Sequence, residues 1–130
     1  MSGYAKGTKG ACDRLWAQII RARANGCCER CGTPGPVQAA HIFRKGYNAT
    51  RHDLRNGRGL CGNCHTGQDG VDLGMWDWPE LIGVVEYEDL RLFMRNNTPF
   101  SPPAGMTLDG WWQHTRDTLK TEAVFMGLAA

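Results

Sequence analysis

CGNCH, residues 61–65, admits two readings that demand different folds. As C-x-x-C-H it has the spacing that attaches a c-type haem, with both cysteines spent on vinyl groups and the histidine on iron. As half of a divided metal site it supplies two thiolates and leaves His65 for other work. A second stretch separates the readings. CERC, residues 28–31, repeats the two-residue spacing, and a haem would leave it without a function. Cys28, Cys31, Cys61 and Cys64 together make the four-sulfur set that a structural zinc takes in tetrahedral geometry. Two disulfides would use the same residues, but cytoplasmic thiols stay reduced. The opening MSGYAKGTKGACDRLWAQII carries positive charge without the apolar run or cleavage site of an export signal. Cys27 offers a second register, and the usual knuckle spacing favours Cys28. Cys12 stands outside any pattern and reads as a buried thiol.

The need for a staple follows from composition. A chain of 130 residues with 17 glycines and 42% hydrophobic residues has little material for a large apolar core, and such domains lean on a metal or on disulfides. Residues 1–130 therefore read as one α+β domain. It has an N-terminal helix within 11–26, a small zinc-stapled core over 27–70, and a helical C-terminal extension over 71–130. No stretch approaches the roughly 18 apolar residues of a membrane span, so the expected setting is cytoplasmic, away from any membrane.

Periodicity orders the elements. Leu15, Trp16, Ile19 and Ile20 form an apolar stripe at helical spacing, with Asp13 as cap and Gly26 as stop, which predicts a helix over 13–24. A short strand follows in PGPVQAAHIF, then a polar loop in RKGYNATRHDLRNGRG, then a returning strand at GLC. CGNCHTG opens a helix that Gly67 and Gly70 keep short. Residues 79–97 read as a helix weakened at Gly83, TPFSPPAG as a turn cluster, and 108–125 as a last helix anchored by Trp111 and Trp112. Trp76 and Trp78 read as packing, and His114 as a surface residue.

The formal charge of +2 hides a division. Residues 1–65 hold eleven basic side chains against three acidic, and residues 66–130 hold four against ten. The half with the cysteines is thus at +8 and the other at −6, which points to a polyanion on the metal-bearing half. Lys45 and Arg51, in the loop between the two predicted strands, are natural phosphate contacts.

Within that half, His41 ends the first predicted strand, Asn56 opens the second, and His65 follows the last cysteine. A metal that joins the two knuckles draws His41 and His65 toward one site. Set in C-x2-C … H-I … T-R-x-D-L-x-N … L-C-x-x-C-H, these three residues resemble the HNH endonuclease family, in the small zinc-stapled form common in bacteriophages. The resemblance covers about residues 15–65. It implies a ββα-metal (His-Me finger) core that hydrolyses DNA phosphodiester bonds, nicking or cutting. His41 would be the general base. His65 would hold one catalytic divalent cation (Mg2+, Mn2+, Ni2+ or Zn2+) beside the structural zinc. Asn56 would orient His41 by bonding backbone across the loop. Ala40 departs from the pattern, because the residue before the base histidine is often Asp, His or Glu and ligates the cation. Asp53, His52 or water would then complete its coordination. His52 departs too, at a position commonly Trp.

DNA is the expected partner, with phage packaging or recombination proteins as further candidates. Two rival functions share the features: a zinc module that binds nucleic acid without cutting it, and a protein adaptor that uses the acidic half.

Overall fold

Trp16, Ile19 and Ile20 share one helical face because residues three and four apart lie above one another. In the computed structural model, which describes residues 5–128, they form the buried side of α1 (Gly7–Arg23). The helix starts well before the cap expected at Asp13. Asp13 lies mid-helix and is buried. Its carboxylate accepts from the Ala5 N–H at 3.0 Å and from the side chains of Arg51 and His52. Three buried or half-buried partners hold it more firmly than an exposed cap position would. Asn25 (φ 58°) and Gly26 (φ 82°) take left-handed conformations after Ala24 and end the helix.

Two short strands follow, β1 (Gln38–His41) and β2 (Gly57–Leu60), paired antiparallel with Gln38 opposite Leu60 and His41 opposite Gly57. Side chains alternate across a strand, and here the alternation divides two cores. Ala39 and His41 face α1, where Ala39 packs against the cluster of Cys12, Trp16, Ile19 and Ile20. Ala40 and Leu60 face the other way, into a cluster with Cys28, Cys64, Trp76 and Leu90. The second core therefore contains two of the metal-type cysteines, so an ion held by them would brace the layer that packing also stabilises.

Gly57 is where α1 meets the sheet. A Cβ there would stand 2.4 Å from Trp16 Cζ2 and 3.0 Å from Ile20 Cδ1, closer than atoms can pack. Gly57→Ala should therefore push α1 away and destabilise the fold by about 1–3 kcal/mol, the usual cost of overpacking. Urea unfolding checks it, and an unchanged midpoint would mean that α1 yields without loss.

The remaining helices brace this centre. α2 (Gly62–His65) is a single turn whose first N–H groups are capped by the Cys61 sulfur, which accepts from the Cys64 N–H at 3.4 Å. The helix expected over 79–97 breaks at Gly83 (φ 93°) into α3 (Trp78–Ile82) and α4 (Val84–Asn96). On α4 Leu90 is buried while Val85 and Leu92 are exposed. α5 (Leu108–Phe125) returns to pack Leu119 and Ala123 on α1. The Cys12 thiol donates to the Trp112 carbonyl at 3.2 Å and is fully buried. Trp76 and Trp78 meet edge to face at 5.0 Å, as packing residues. His114 is exposed on α5. The architecture is α+β, a small two-stranded sheet among helices. Among the described residues no helix is long and apolar enough to cross a membrane.

Candidate functional site

The two knuckles meet. The sulfurs of Cys28, Cys31, Cys61 and Cys64 all lie within 4.8 Å of one another, and Cys31 Sγ stands 3.8 Å from Cys61 Sγ. A tetrahedral ion with bonds of about 2.3 Å to sulfur sets its ligands about 3.8 Å apart. The four residues can thus hold a metal ion such as zinc. Backbone N–H groups point at the sulfurs, from Cys31 to Cys28 Sγ at 3.5 Å and from Cys64 to Cys61 Sγ at 3.4 Å. Arg30 adds an N–H to Cys64 Sγ at 3.5 Å while lying over the Trp76 ring. The Thr33 hydroxyl brings Cys31 down to about 6, whereas burial pushes Cys64 up to about 12. A bound cation removes that last proton, since a coordinating thiol is deprotonated. Cys27 lies outside the cluster, and its backbone bridges to Pro34. His65, next to Cys64, also lies outside it.

On the other face of the sheet, His41 is held on several sides. Its ring stacks on Trp16 with centroids 3.8 Å apart and planes 13° from parallel. Its Nε2 lies 2.9 Å from the Arg51 carbonyl oxygen. A carbonyl only accepts, so Nε2 carries the proton and Nδ1 keeps the lone pair. Burial lowers the His41 pKa to about 4, outweighing the favourable Arg51 carbonyl. The ring is therefore neutral at pH 7.

Asn56 holds the loop that supplies that carbonyl. Fully buried, it accepts from the Phe43 N–H at 2.7 Å and donates to the carbonyls of Phe43 at 3.0 Å and Thr50 at 2.9 Å. The amide thus ties the chain just after His41 to the chain just before Arg51. The same loop is gripped from α1, where Trp16 Nε1 donates to the Asp53 carbonyl at 2.9 Å.

Arg51 requires a correction. Expected at a phosphate, it instead forks onto Asp13, with Nε to Oδ1 at 2.8 Å and Nη2 to Oδ2 at 2.7 Å. A buried carboxylate needs this partner, and the pairing pulls Asp13 well below the usual carboxylate range against the opposing effect of burial. His52 shares Asp13 at 2.6 Å and stands edge-on to Trp112, with burial lowering its pKa to about 4. Asp53 gives its carboxylate to Arg55 at 2.7 Å. His52 and Asp53 line a different cavity, of about 560 Å3, beside α5. Neither lines the cavity that holds His65. Ala40 is 1% exposed in the apolar cluster behind the sheet, so a carboxylate there would be buried rather than presented to an ion.

His41 and His65 do converge. Both line a cavity of about 600 Å3 with Gln38, Arg44, Lys45 and Asp72. A neighbouring cavity of about 430 Å3, under Trp76 and Tyr87, shares His41, Arg44 and Asp72. The two adjoin along those shared residues, and His65 lines the larger one. His65 Nδ1 lies 2.7 Å from Gln38 Oε1, and its Nε2 lies 3.8 Å from Asp72 Oδ2.

No family model, no curated protein and no solved structure matches the chain. The residues themselves therefore carry the reading. Sequence reasoning expects Asp13 only as a helix cap and assigns no role to Gln38 or Asp72. Asp13 had a signal, since an acidic residue in register with Trp16 and Ile20 on an apolar stripe has to be buried against a cation. Asp72 had none, because only the folding of residues 66–72 brings it to His65.

Proposed function

We propose that the chain is a divalent-metal-dependent endonuclease that hydrolyses DNA phosphodiester bonds. In this reading residues 38–65 form a ββα-metal site of the HNH kind. The observation that carries it is the restraint on His41, a neutral imidazole stacked on Trp16 and bonded through Nε2 to the Arg51 carbonyl, in one cavity with His65. A core histidine needs one hydrogen bond. This one is fixed in tautomer by a loop that Asn56 spends all its polar atoms holding.

Hydrolysis needs a proton removed from water, charge compensation at phosphorus, and help for the departing 3′ oxygen. His41 Nδ1 takes the proton as the water oxygen bonds to phosphorus and the bond to the 3′ oxygen breaks. His65 offers its Nε2 to a divalent cation, which when bound stabilises charge on the phosphoryl and leaving oxygens. Arg44 and Lys45, at the same cavity, hold flanking phosphates. Asn56 and Trp16 keep His41 oriented and do not react.

One observation favours the rival reading of a binding module without catalysis: the strand offers no cation ligand at buried Ala40. Incubation of zinc-loaded protein with supercoiled plasmid decides between the two. Nicking with Mg2+, Mn2+ or Ni2+, and none with EDTA while bound zinc is retained, is the expected result. Retarded but intact plasmid under every metal would select the binding module.

The phosphate contacts have a separate signature. Arg44→Ala and Lys45→Ala should each weaken binding to all DNA sequences alike, and each should reduce the slope of log affinity against log salt by about 1. Slopes equal to the unsubstituted protein would remove these residues from the DNA path.

A further inference from the structure

Ala40 leaves a cation at His65 without a partner from the strand. We infer that Asp72, on the 3-10 turn Val71–Leu73, is the second protein ligand of that cation. The inference rests on the proposed function only for what the ion does, not for whether it binds.

The hydrogen bonds of His65 carry the case. Gln38 Oε1 only accepts, so at 2.7 Å it takes the proton of His65 Nδ1, and Nε2 keeps its lone pair. That lone pair faces Asp72 Oδ2 at 3.8 Å. Two acceptors then confront each other, and the separation is too long for a shared proton. A divalent ion with bonds of about 2.1 Å to each can touch both. Among the described residues Asp72 has no other ion-pair partner. Gln38 has the part that an outer partner plays for a metal-bound histidine, fixing tautomer and ring orientation.

The chain between the two residues is shaped for this approach. At Gly70 a Cβ would stand 2.6 Å from the His65 carbonyl oxygen and 2.8 Å from that of Gly67. Only glycine lets residues 66–72 fold so tightly against α2, and that fold is what carries Asp72 to His65. Asp72 also lines both cavities, as His41 does. One histidine and one carboxylate suit a borderline divalent cation such as Mn2+, Ni2+ or Zn2+ that completes its shell with water and phosphate oxygens.

The test is binding of Mn2+ alone to zinc-loaded protein, measured by electron paramagnetic resonance, with amide NMR to locate the ion. Substoichiometric Mn2+ should broaden the signals of residues 65 and 72 first. Asp72→Asn should weaken Mn2+ binding tenfold or more, His65→Gln at least as much, and Asp109→Asn, on α5, not at all. Asp72 is 58% exposed along its side chain, so the amide leaves the fold intact. Broadening elsewhere, or Asp72→Asn binding Mn2+ as the unsubstituted protein does, overturns the assignment and leaves a simple His–Asp ion pair. Mn2+ held at residues 65 and 72 by a protein that never nicks plasmid would count against the nuclease reading alone.

Discussion

Cys61→Ser is expected to remove the metal and the fold together. Cys61 contributes one of the four clustered sulfurs and caps α2 by accepting from the Cys64 N–H. A serine oxygen can still cap, but it is a poor partner for an ion that the other three thiolates bind. The loss is large because a structural zinc supplies apparent binding energy of about 10–16 kcal/mol to a small domain, comparable to the whole stability of about 5–15 kcal/mol of an ordinary one. Here the same layer has few alternatives. Cys28 and Cys64 are buried with Ala40, Leu60 and Leu90, and β1 and β2 span only four residues each. Elemental analysis should find about one zinc per chain before the substitution and little after it, and thermal unfolding should lose its cooperative step. Cys27→Ser, outside the cluster, should keep both and so checks the register. A cooperative, zinc-free Cys61→Ser protein would show that the cysteines are not the staple.

The parts of this molecule legible in the sequence are those set by local spacing. Two C-x-x-C knuckles need no tertiary information to define a four-thiolate set. The apolar stripe of α1 and the tryptophan anchors of α5 locate their helices, and the weakness at Gly83 appears as the break between α3 and α4. What escaped is set by contacts distant in sequence. Arg51 read as a phosphate ligand because a basic residue in a polar loop usually is solvated. Its partner Asp13 lies 38 residues away in a helix read as beginning where in fact it continues. The same carboxylate also holds His52 through its Nε2. Asp72 was invisible for a related reason, since its approach to His65 depends on the closeness that Gly70 permits. Short-range chemistry could be read, while the partner that a residue meets across the fold could not, even where Asp13 on an apolar stripe signalled that it needs one.

His41→Ala should leave folding, zinc content and DNA affinity close to the unsubstituted protein while cleavage falls by about 10²-fold or more, the contribution of a positioned general base. The residue ends β1 with its ring stacked on Trp16, so some stability is lost with the ring, but the apolar residues of both clusters stay in place. Metal dependence separates it from its neighbour. His65→Ala should also abolish cleavage, with partial rescue as Mg2+ or Mn2+ is raised, because its defect is weak ion binding. No concentration of metal should rescue His41→Ala, whose missing step is proton transfer. The pH profile adds a second signature. Burial lowers the His41 pKa to about 4, so the base stays unprotonated well below the ordinary value of about 6.5. The acid limb of kcat/KM should accordingly lie near pH 4–5 rather than above 6. Stability narrows that window from the same side. The unfolded chain protonates His41 and His52 near 6.5 and the folded chain only near 4, so unfolding takes up protons as pH falls from about 6.5 to 4 and the fold weakens through that interval. Activity should therefore be read alongside circular dichroism at each pH. If nicking by the His41→Ala protein equals that of the unsubstituted one over a full metal titration, other residues do the work and His41 is a stacked core histidine.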